Sequence, residues 1–267
     1  MARRQGRPNL PGGACPFCVG GLEAPEPYEV RAFPNRWPPL GPGKAEVVLY
    51  TPDHHAAFAS LGRTGARRVI DLWAARTTAL GAEPDVDYVL VFENRGPEVG
   101  ATITHPHGQI YAFPDVPAVP AAELAARGAC HLCTSEPGDR AVAEVRPWRA
   151  WVPEAADWPY ALLLAPAEHV PDLPALEDVA RDALADVLVD ALGRLDRLFD
   201  APMPYMLWIH QRPTDGGCWP ASHLHVHVAP LLRGPGVPRY VAAGELGSGT
   251  SFNPVDPAVA AAELRGA

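Results

Sequence analysis

Two histidines and a glutamine alternate in one short stretch of this sequence, His105-Pro106-His107-Gly108-Gln109. Side chains at alternate positions of a β-strand point to the same face, so a strand here would bring all three together. An imidazole can ligate a metal or attack phosphorus, and a glutamine amide can donate hydrogen bonds to a phosphoryl oxygen. The stretch therefore indicates metal binding, phosphoryl chemistry, or both.

Four of the five cysteines form Cys-x-x-Cys pairs, Cys15 with Cys18 and Cys130 with Cys133, while Cys218 stands alone. In a chain with no recognisable export signal, such pairs are typical of metal or redox chemistry rather than structural disulfides. Turn-forming residues follow each pair, whereas a thioredoxin-like redox site needs a strand-to-helix setting. The pairs therefore favour metal, and Cys218 is interpreted as a plain thiol.

The same succession of features follows each cysteine pair, which indicates an internal repeat. His54 lies 36 residues after Cys18, and His169 lies 36 residues after Cys133. An alternating triplet closes each half: His105, His107 and Gln109 in the first, and His223, His225 and His227 in the second. The two halves of the chain are thus predicted to share one fold.

A Cys-x-x-Cys pair with two distant histidines is a standard ligand supply for tetrahedral zinc. The repeat predicts two such sets: Cys15, Cys18, His54 and His105 in the first half, and Cys130, Cys133, His169 and His223 in the second. His55 is an alternative ligand to its neighbour His54. The alternative to metal is that these groups are free cysteines and hydrogen-bonded core histidines.

If His105 ligates zinc, His107 is the histidine left for catalysis in the first triplet. A neutral imidazole is nucleophilic toward phosphorus and forms a reactive P–N bond. Gln109, on the same face, could stabilise charge on the phosphoryl oxygens, and Gly108 is interpreted as letting substrate approach the backbone. The alternative is that His107 is a further ligand, but the neighbouring glutamine is a poor zinc ligand.

Hydrophobic periodicity predicts the elements that would hold these groups. Runs with strand character lie at about 45–50, 87–93, 107–113, 142–152, 160–165, 204–210 and 223–229. Helical spacing marks 174–199 and, more weakly, 66–80, and the Pro- and Ala-rich piece 114–129 connects the halves. The pattern predicts an α+β fold of two tandem halves, 1–120 and 121–267, with antiparallel sheets, packed helices and a pseudo-twofold repeat.

The composition is that of a globular protein, with 48% hydrophobic and 20% charged residues. A formal charge of −9 and a pI near 5.5 give no overall attraction to nucleic acid or to an anionic membrane surface. No run of roughly 18 apolar residues is present, and the basic N-terminal stretch lacks the apolar segment of a signal peptide. We expect a cytoplasmic protein with neither nucleic acid nor membrane as partner.

Several motifs, taken in order, resemble the galactose-1-phosphate uridylyltransferases of the histidine triad superfamily. The stretch FENRGPEVGATITHPHGQIYA is similar to the active-site signature of that family. Other similar landmarks are RRQGRP, CPFC, YTPDHH, WPYALLLAPAEHV, WIHQRP and HLHVHVAPLLR, so the resemblance covers nearly the whole chain. It implies two histidine-triad-like halves in a homodimer. The implied reaction transfers a nucleoside monophosphate, in this family uridine monophosphate, between a nucleoside diphosphate sugar and a sugar 1-phosphate through a nucleotidyl-histidine.

The resemblance also implies roles for individual residues. His107 would be the nucleophile, and Gln109 would hold the phosphoryl oxygens. Substrate contacts are implied for Arg4, Arg7, Asn35, Arg36, Asn94, Thr102, Arg239, Tyr240 and Glu245. The first zinc set matches the zinc site of bacterial members. A further site of iron type is implied for Glu123, His210, His225 and His227, with a hydrogen-bonded core network as the alternative.

Two departures from the family pattern concern the substrate. Arg36 replaces an aspartate that the family uses beside the nucleoside, and Gly244 stands where an aromatic residue is usual in the sugar-binding segment. The base and the sugar are therefore open. An alternative enzyme is a phosphorylase of a nucleotide sugar or dinucleoside polyphosphate that uses the same histidine. An alternative of another class is a non-enzymatic zinc module, against which the intact His-Pro-His-Gly-Gln argues.

Overall fold

The computed structural model describes residues 14–125 and 130–267. Arg4 and Arg7 lie outside the described residues. The elements of the first half are β1 (Arg31–Pro34), β2 (Ala45–Leu49), α1 (Gly62–Gly81), β3 (Tyr88–Arg95), β4 (His107–Phe113) and α2 (Ala118–Leu124). Those of the second half are α3 (His131–Thr134), β5 (Ala141–Val145), β6 (Trp148–Trp151), β7 (Leu162–Pro166), α4 (Asp178–Leu198), β8 (Tyr205–His210), β9 (His225–Pro230), β10 (Leu232–Gly234), β11 (Val237–Pro238), α5 (Ala243–Ser248) and α6 (Pro257–Gly266).

A single antiparallel sheet runs through both halves, with nine strands in the order β1-β2-β4-β3-β8-β9-β7-β6-β5. The order of the first four strands is mirrored by the next four, and β5 is added at the edge. Phe92 of β3 lies opposite Trp208 of β8, and these two residues pair in turn with Gln109 and His227. A pseudo-twofold axis therefore passes between Phe92 and Trp208. The α+β class and the repeat are confirmed, with the two antiparallel sheets joined at β3 and β8.

Two long helices cover one face of the sheet. The buried stripe of α1, including Val69, Ile70 and Trp73, packs against the sheet and against α4, which contributes Leu184 and Leu188. Apolar residues at helical spacing form this core because they remove both helices and one sheet face from water. No helix among residues 14–125 and 130–267 is long and apolar enough to cross a membrane.

Strand β4 separates core groups from polar groups by simple alternation. Gly108, Ile110 and Ala112 are buried toward the helices, whereas His107 and Gln109 lie on the opposite face. The face of the sheet that the long helices leave open therefore carries the candidate chemistry.

Two sequence predictions need correction here. The triplets do not lie wholly on strands, because β4 begins at His107 and β9 at His225, so His105 and His223 precede them. Pro106 has no N–H to donate to a ladder, which ends the strand beside His105. The single run predicted at 142–152 is also wrong, because it is a hairpin of β5 and β6 that turns at Arg146 and Pro147.

A carboxyl group is buried in the core on β3, the strand next to β4. Glu93 of β3 is 4% exposed and accepts a hydrogen bond from the Tyr205 hydroxyl at 3.1 Å. Burial raises the pKa of Glu93 to about 7, although the hydrogen bond from Tyr205 and the charge of Arg95 act in the opposite direction. Glu93 is therefore expected to titrate near neutral pH in the folded protein.

We expect Glu93→Gln to remove a pH-dependent loss of stability. Because the pKa of Glu93 is raised in the folded state, the folded protein holds this proton more tightly than the unfolded chain, and the free energy of unfolding falls as pH rises from about 5 to above 7. A rise from 4.5 to about 7 corresponds to roughly 3 kcal/mol. Chemical denaturation of both proteins across this range measures the effect. A constant difference between wild type and variant would contradict it.

Candidate functional site

His107 and Gln109 lie side by side on the open face of β4. Nδ1 of His107 donates a hydrogen bond to the carbonyl of His105 at 2.8 Å, which puts the ring lone pair on Nε2. Oε1 of Gln109 accepts hydrogen bonds from Asn35 Nδ2 at 3.3 Å and from the Tyr111 hydroxyl at 3.4 Å. The amide hydrogens of Gln109 are then the groups that can be donated to a ligand beside His107.

A cavity of about 400 Å³ opens beside His107 and Gln109. Its wall is largely apolar and aromatic, and includes Phe17, Leu22, Phe33, Trp37, Val47 and Ile103. This volume lies within the usual range of small-molecule sites, and such a wall suits a planar base. Larger cavities of about 810 and 1110 Å³ lie in the second half and do not include His107. Size alone therefore does not identify the site.

Four of the predicted substrate residues lie close to His107. Asn35, Arg36 and Thr102 line its cavity, and Asn94 lines a smaller cavity of about 40 Å³ that also contacts His107. Arg36 is held by Glu23 at 2.7 Å and lies over the Trp37 ring at 5.7 Å. An ion pair thus stands at the edge of the cavity where the sequence comparison with the family expected an aspartate.

The other three predicted substrate residues that the structure describes, Arg239, Tyr240 and Glu245, lie elsewhere in the chain. Arg239 is buried over the Trp158 ring at 4.6 Å and forms an ion pair with Glu245. Glu245 also accepts hydrogen bonds from the backbone N–H groups of Phe252 and Ala242, and these bonds lower its pKa. Tyr240 is 72% exposed. Among the described residues, none of these three lines the cavity of His107, and the Arg239–Glu245 pair holds the C-terminal segment together.

Gly108 has a different role from the one the sequence indicated. A Cβ at this position would overlap the Tyr50 hydroxyl and lie 3.0 Å from the Phe92 carbonyl, both on the core side. The prediction that Gly108 admits substrate to the backbone is therefore wrong, because the residue faces the buried side of the sheet. Glycine is required here by the packing of Tyr50 beneath the strand.

The first predicted zinc set comes together in the fold. The four ligand atoms of Cys15, Cys18, His54 and His105 all lie within 4.8 Å of one another. Cys18 Sγ lies 3.5 Å from His54 Nδ1 and 3.6 Å from His105 Nδ1. His54, rather than its neighbour His55, belongs to this set. Two thiols and two imidazole nitrogens converging in this way have the chemistry of a tetrahedral zinc site.

Hydrogen bonds behind the ligands fix the imidazole of His105. Its Nε2 donates to the Thr51 carbonyl at 2.8 Å, which leaves Nδ1 as the ligand atom. Burial lowers the pKa of His105 and so favours the neutral form that binds metal. The Tyr28 hydroxyl lies 3.0 Å from the same Nε2 and donates to the Phe17 carbonyl at 2.7 Å. Tyr28 could not be identified from the sequence, because nothing in its spacing links it to the ligands.

The second zinc set repeats this arrangement. Nδ1 of His223 lies 3.2 Å from Cys130 Sγ, and Nδ1 of His169 lies 3.3 Å from Cys133 Sγ. Nε2 of His223 donates to the Pro166 carbonyl at 3.0 Å. Pro166 ends β7, the strand that corresponds to β2 of the first half. Burial is the main cause that lowers the pKa of His223 to about 4. The donor set and its outer hydrogen bond therefore match those of the first half.

The third set consists of Glu123, His210, His225 and His227. It lies at the position in the second half that corresponds to the His107 site of the first half. Oε2 of Glu123 lies 2.8 Å from His210 Nδ1 and 3.5 Å from His225 Nε2. Burial lowers the pKa of His227 to about 2, and its Nε2 has no hydrogen-bond partner in the part of the chain that the structure describes. A buried neutral imidazole of this kind suits a metal ligand. The three sets use different residues, so all three can be filled together.

The doubled α+β sheet and the site beside His107 and Gln109 are those of a nucleotidyltransferase. The chain belongs to the galactose-1-phosphate uridylyltransferase family. The family models described as galactose-1-phosphate uridyl transferase, N-terminal domain and C-terminal domain, match residues 39–117 and 132–245. The resemblance seen in the sequence motifs is thereby confirmed.

Individual relatives agree with this assignment. A galactose-1-phosphate uridylyltransferase of Thermotoga maritima is 35% identical over 99% of this chain and 93% of its own length. A solved uridylyltransferase structure matches with a TM-score of 0.91 and 31% identity, covering 100% of this chain and 93% of that one. An ADP-glucose phosphorylase of Arabidopsis thaliana is 26% identical over 97% of this chain and 83% of its own length. The fold is thus shared with enzymes of two named activities.

We predict that Tyr28→Phe weakens metal binding at the first set. Loss of the hydroxyl removes a contact to the His105 ring and a bond to the Phe17 carbonyl, and changes of this kind typically lower metal affinity 10- to 100-fold. Competition with a chromophoric chelator measures the affinity of each set. The second set of the same protein is the internal control. Equal affinities in wild type and variant would contradict the prediction.

Proposed function

We propose that this protein transfers a nucleoside monophosphate, uridine monophosphate in the leading case, between a nucleoside diphosphate sugar and a sugar 1-phosphate. In the first step, the lone pair on His107 Nε2 forms a bond to the α-phosphorus. The bond from that phosphorus to the bridging oxygen breaks, and sugar 1-phosphate leaves with the electron pair. An oxygen of a second sugar 1-phosphate then attacks the same phosphorus, and the P–N bond breaks to restore the imidazole.

The orientation of the His107 ring is the observation that carries this proposal. The hydrogen bond from Nδ1 to the His105 carbonyl keeps the lone pair on Nε2 and stabilises the positive charge that develops as the ring attacks. A histidine that titrates or rotates freely would hold this state only part of the time. His107 thus has the tautomer that a nucleophile toward phosphorus needs.

The surroundings of His107 suit the two parts of a nucleotide. Gln109, with Oε1 engaged by Asn35 and Tyr111, would donate its amide hydrogens to the phosphoryl oxygens. The nucleoside would occupy the 400 Å³ apolar cavity, with Thr102 and Asn94 near the phosphates. Arg36 and Glu23 at its edge would contact the base or the ribose. These roles follow from position and chemistry.

A phosphorylase is the second candidate, and one observation favours it. The relative from Arabidopsis thaliana, which is similar to this chain over 97% of its length, carries that activity in its name. The two reactions share the first step and differ in the acceptor, which is inorganic phosphate for a phosphorylase. Identification of the products therefore distinguishes the transferase from the phosphorylase reaction.

We expect His107→Ala to abolish a covalent intermediate that the wild type forms. Wild-type protein incubated with a panel of nucleoside diphosphate sugars should gain the mass of one nucleoside monophosphate, located by peptide mapping on His107. His131→Ala, a control at an exposed histidine outside all three metal sets, should retain the adduct. Addition of a sugar 1-phosphate, rather than inorganic phosphate, should discharge it. Absence of the adduct with every donor would refute the mechanism.

We also propose metal at the three sets, with zinc at the two Cys₂His₂ sets and zinc or iron at the Glu-His₃ set. Thiolates with imidazoles select zinc, whereas a carboxylate with three imidazoles also suits iron. A bound zinc would hold separate segments of each half together; the first set joins the Cys-x-x-Cys loop to His105, next to the nucleophile. Ligand thiolates need a reducing compartment, which supports a cytoplasmic location.

Metal analysis of cysteine variants tests the two zinc assignments. We predict that Cys18→Ser and Cys133→Ser each lose one zinc per chain relative to wild type, because each removes a thiolate from a different set. Cys218→Ser, a matched control at an exposed cysteine outside the sets, should lose none. Loss of the same zinc in both ligand variants, or of none, would contradict the assignment.

A homodimer completes the proposal. Arg239, Tyr240 and Glu245 match sugar-binding positions by resemblance but lie away from His107 in their own chain. Exposed apolar side chains accompany them: Val237, Tyr240, Val241, Leu246 and Phe252. Several exposed apolar side chains within one short segment are typical of an interface. The segment would then serve the site of the partner.

A further inference from the structure

The loop between Cys15 and Cys18 brings an aromatic ring against the nucleophile. Phe17, which lies between the two cysteines, is 6% exposed. The centroid of its ring is 5.1 Å from that of His107, with the planes at 62°, and 6.1 Å from that of His105. These are the distances and angles of edge-to-face aromatic pairs. A residue enclosed by metal ligands therefore packs directly on the imidazole that attacks phosphorus.

The loop that carries Phe17 is closely packed. A Cβ at Gly21 would lie 2.6 to 2.8 Å from the carbonyl oxygens of Cys15, Pro16 and Cys18, and Gly21 N–H donates to the Cys18 carbonyl at 2.8 Å. The Tyr28 hydroxyl holds the Phe17 carbonyl from outside. Phe17 therefore has little freedom to move once the cysteines are fixed.

Two of the contacts that restrain His107 lead to the same metal set. The carbonyl of His105, a ligand, accepts the hydrogen bond from Nδ1 and fixes one ring atom. A single hydrogen bond still allows the ring to tilt about that atom. The Phe17 ring restricts this tilt and so helps to define the direction of the Nε2 lone pair.

The second half provides a comparison within the same chain. Leu132 lies between Cys130 and Cys133, where the first half has Phe17, and His225 corresponds to His107. The hydrogen bond is kept, with His225 Nδ1 donating to the His223 carbonyl at 2.7 Å. The ring of His225 instead contacts His210 and His227 at centroid distances of 5.3 and 4.8 Å. The aromatic residue in the cysteine loop thus belongs to the half with the candidate nucleophile.

We propose that Phe17 is a positioning residue through which the Cys15, Cys18, His54 and His105 set orients the His107 imidazole for attack. The role rests on the proposed nucleotidyl transfer at His107. It gives the first metal set a function in catalysis that differs from holding the fold together. The residue acts on the nucleophile and on no reacting atom of the substrate.

Single-turnover kinetics of adduct formation test this role. With UDP-glucose or whichever donor labels the wild type, Phe17→Leu should lower the rate constant at saturating donor roughly 10-fold, because a misdirected lone pair reaches the transition state less often. Zinc content should stay at the wild-type value, which shows that the variant is folded and loaded. Phe33→Leu alters the same cavity wall and packs on Phe17 at 5.8 Å. It should mainly raise the half-saturating donor concentration.

The outcomes separate the possible explanations. A Phe17→Leu rate constant equal to that of wild type, or lowered no more than in Phe33→Leu, would show that Phe17 only lines the cavity, and would overturn the proposal. Failure of the wild type to form any adduct would instead refute the proposed function. Either result is read from the same set of reactions.

A double-mutant cycle tests the link to the metal. Cys18→Ser, which removes a ligand, should lower the saturating rate constant more in the wild-type background than in the Phe17→Leu background, because part of its effect passes through Phe17. The effect of Cys18→Ser that remains in the Phe17→Leu background would pass through the hydrogen bond from His107 to the His105 carbonyl. Equal effects in the two backgrounds would show that metal and ring act independently, and would overturn the proposed route.

Discussion

The alternation of side chains along β4 is the constraint on which the rest of the site depends. Successive residues of a strand face opposite sides, so Gly108 and Ile110 must enter the core if His107 and Gln109 are to face the cavity. A shift by one residue would bury the imidazole and expose the core residues. Tyr50 packs so closely under Gly108 that no other residue type fits in this register. The chemistry of one face is thus secured by the packing of the other.

Much of the site and the fold could be predicted from the sequence because the two halves repeat the same pattern of cysteines and histidines. The equal spacing from Cys18 to His54 and from Cys133 to His169 predicted two ligand sets, and the ligand atoms of both converge. The strand predicted at 107–113 and the helix predicted at 174–199 have their counterparts in β4 and α4. Periodicity succeeded where one face of an element is buried throughout.

The sequence was insufficient where the outcome depended on contacts between distant segments. Tyr28 bridges Phe17 and His105 across the fold, and no local pattern marks it. The ion pair between Arg239 and Glu245 was not foreseen, because a motif does not show which of its charged groups contact each other. The hairpin at Pro147 was missed because the turn has only two residues, Arg146 and Pro147, and strand-forming residues flank it directly on both sides. Each failure arose where a single partner, rather than a repeated pattern, decides the structure.

The pairing of β3 with β8 at the centre of the sheet has a consequence for the chain as a whole. A half separated from the other would present β3 or β8 as an unpaired edge with free N–H and C=O groups, a template for association with another strand. A cut within 114–125, in the connection between the halves, would interrupt no strand. Two fragments produced apart are then complementary pieces of one sheet rather than independent domains. A single half could cover this edge only by pairing it with another strand, such as the same edge of a second copy.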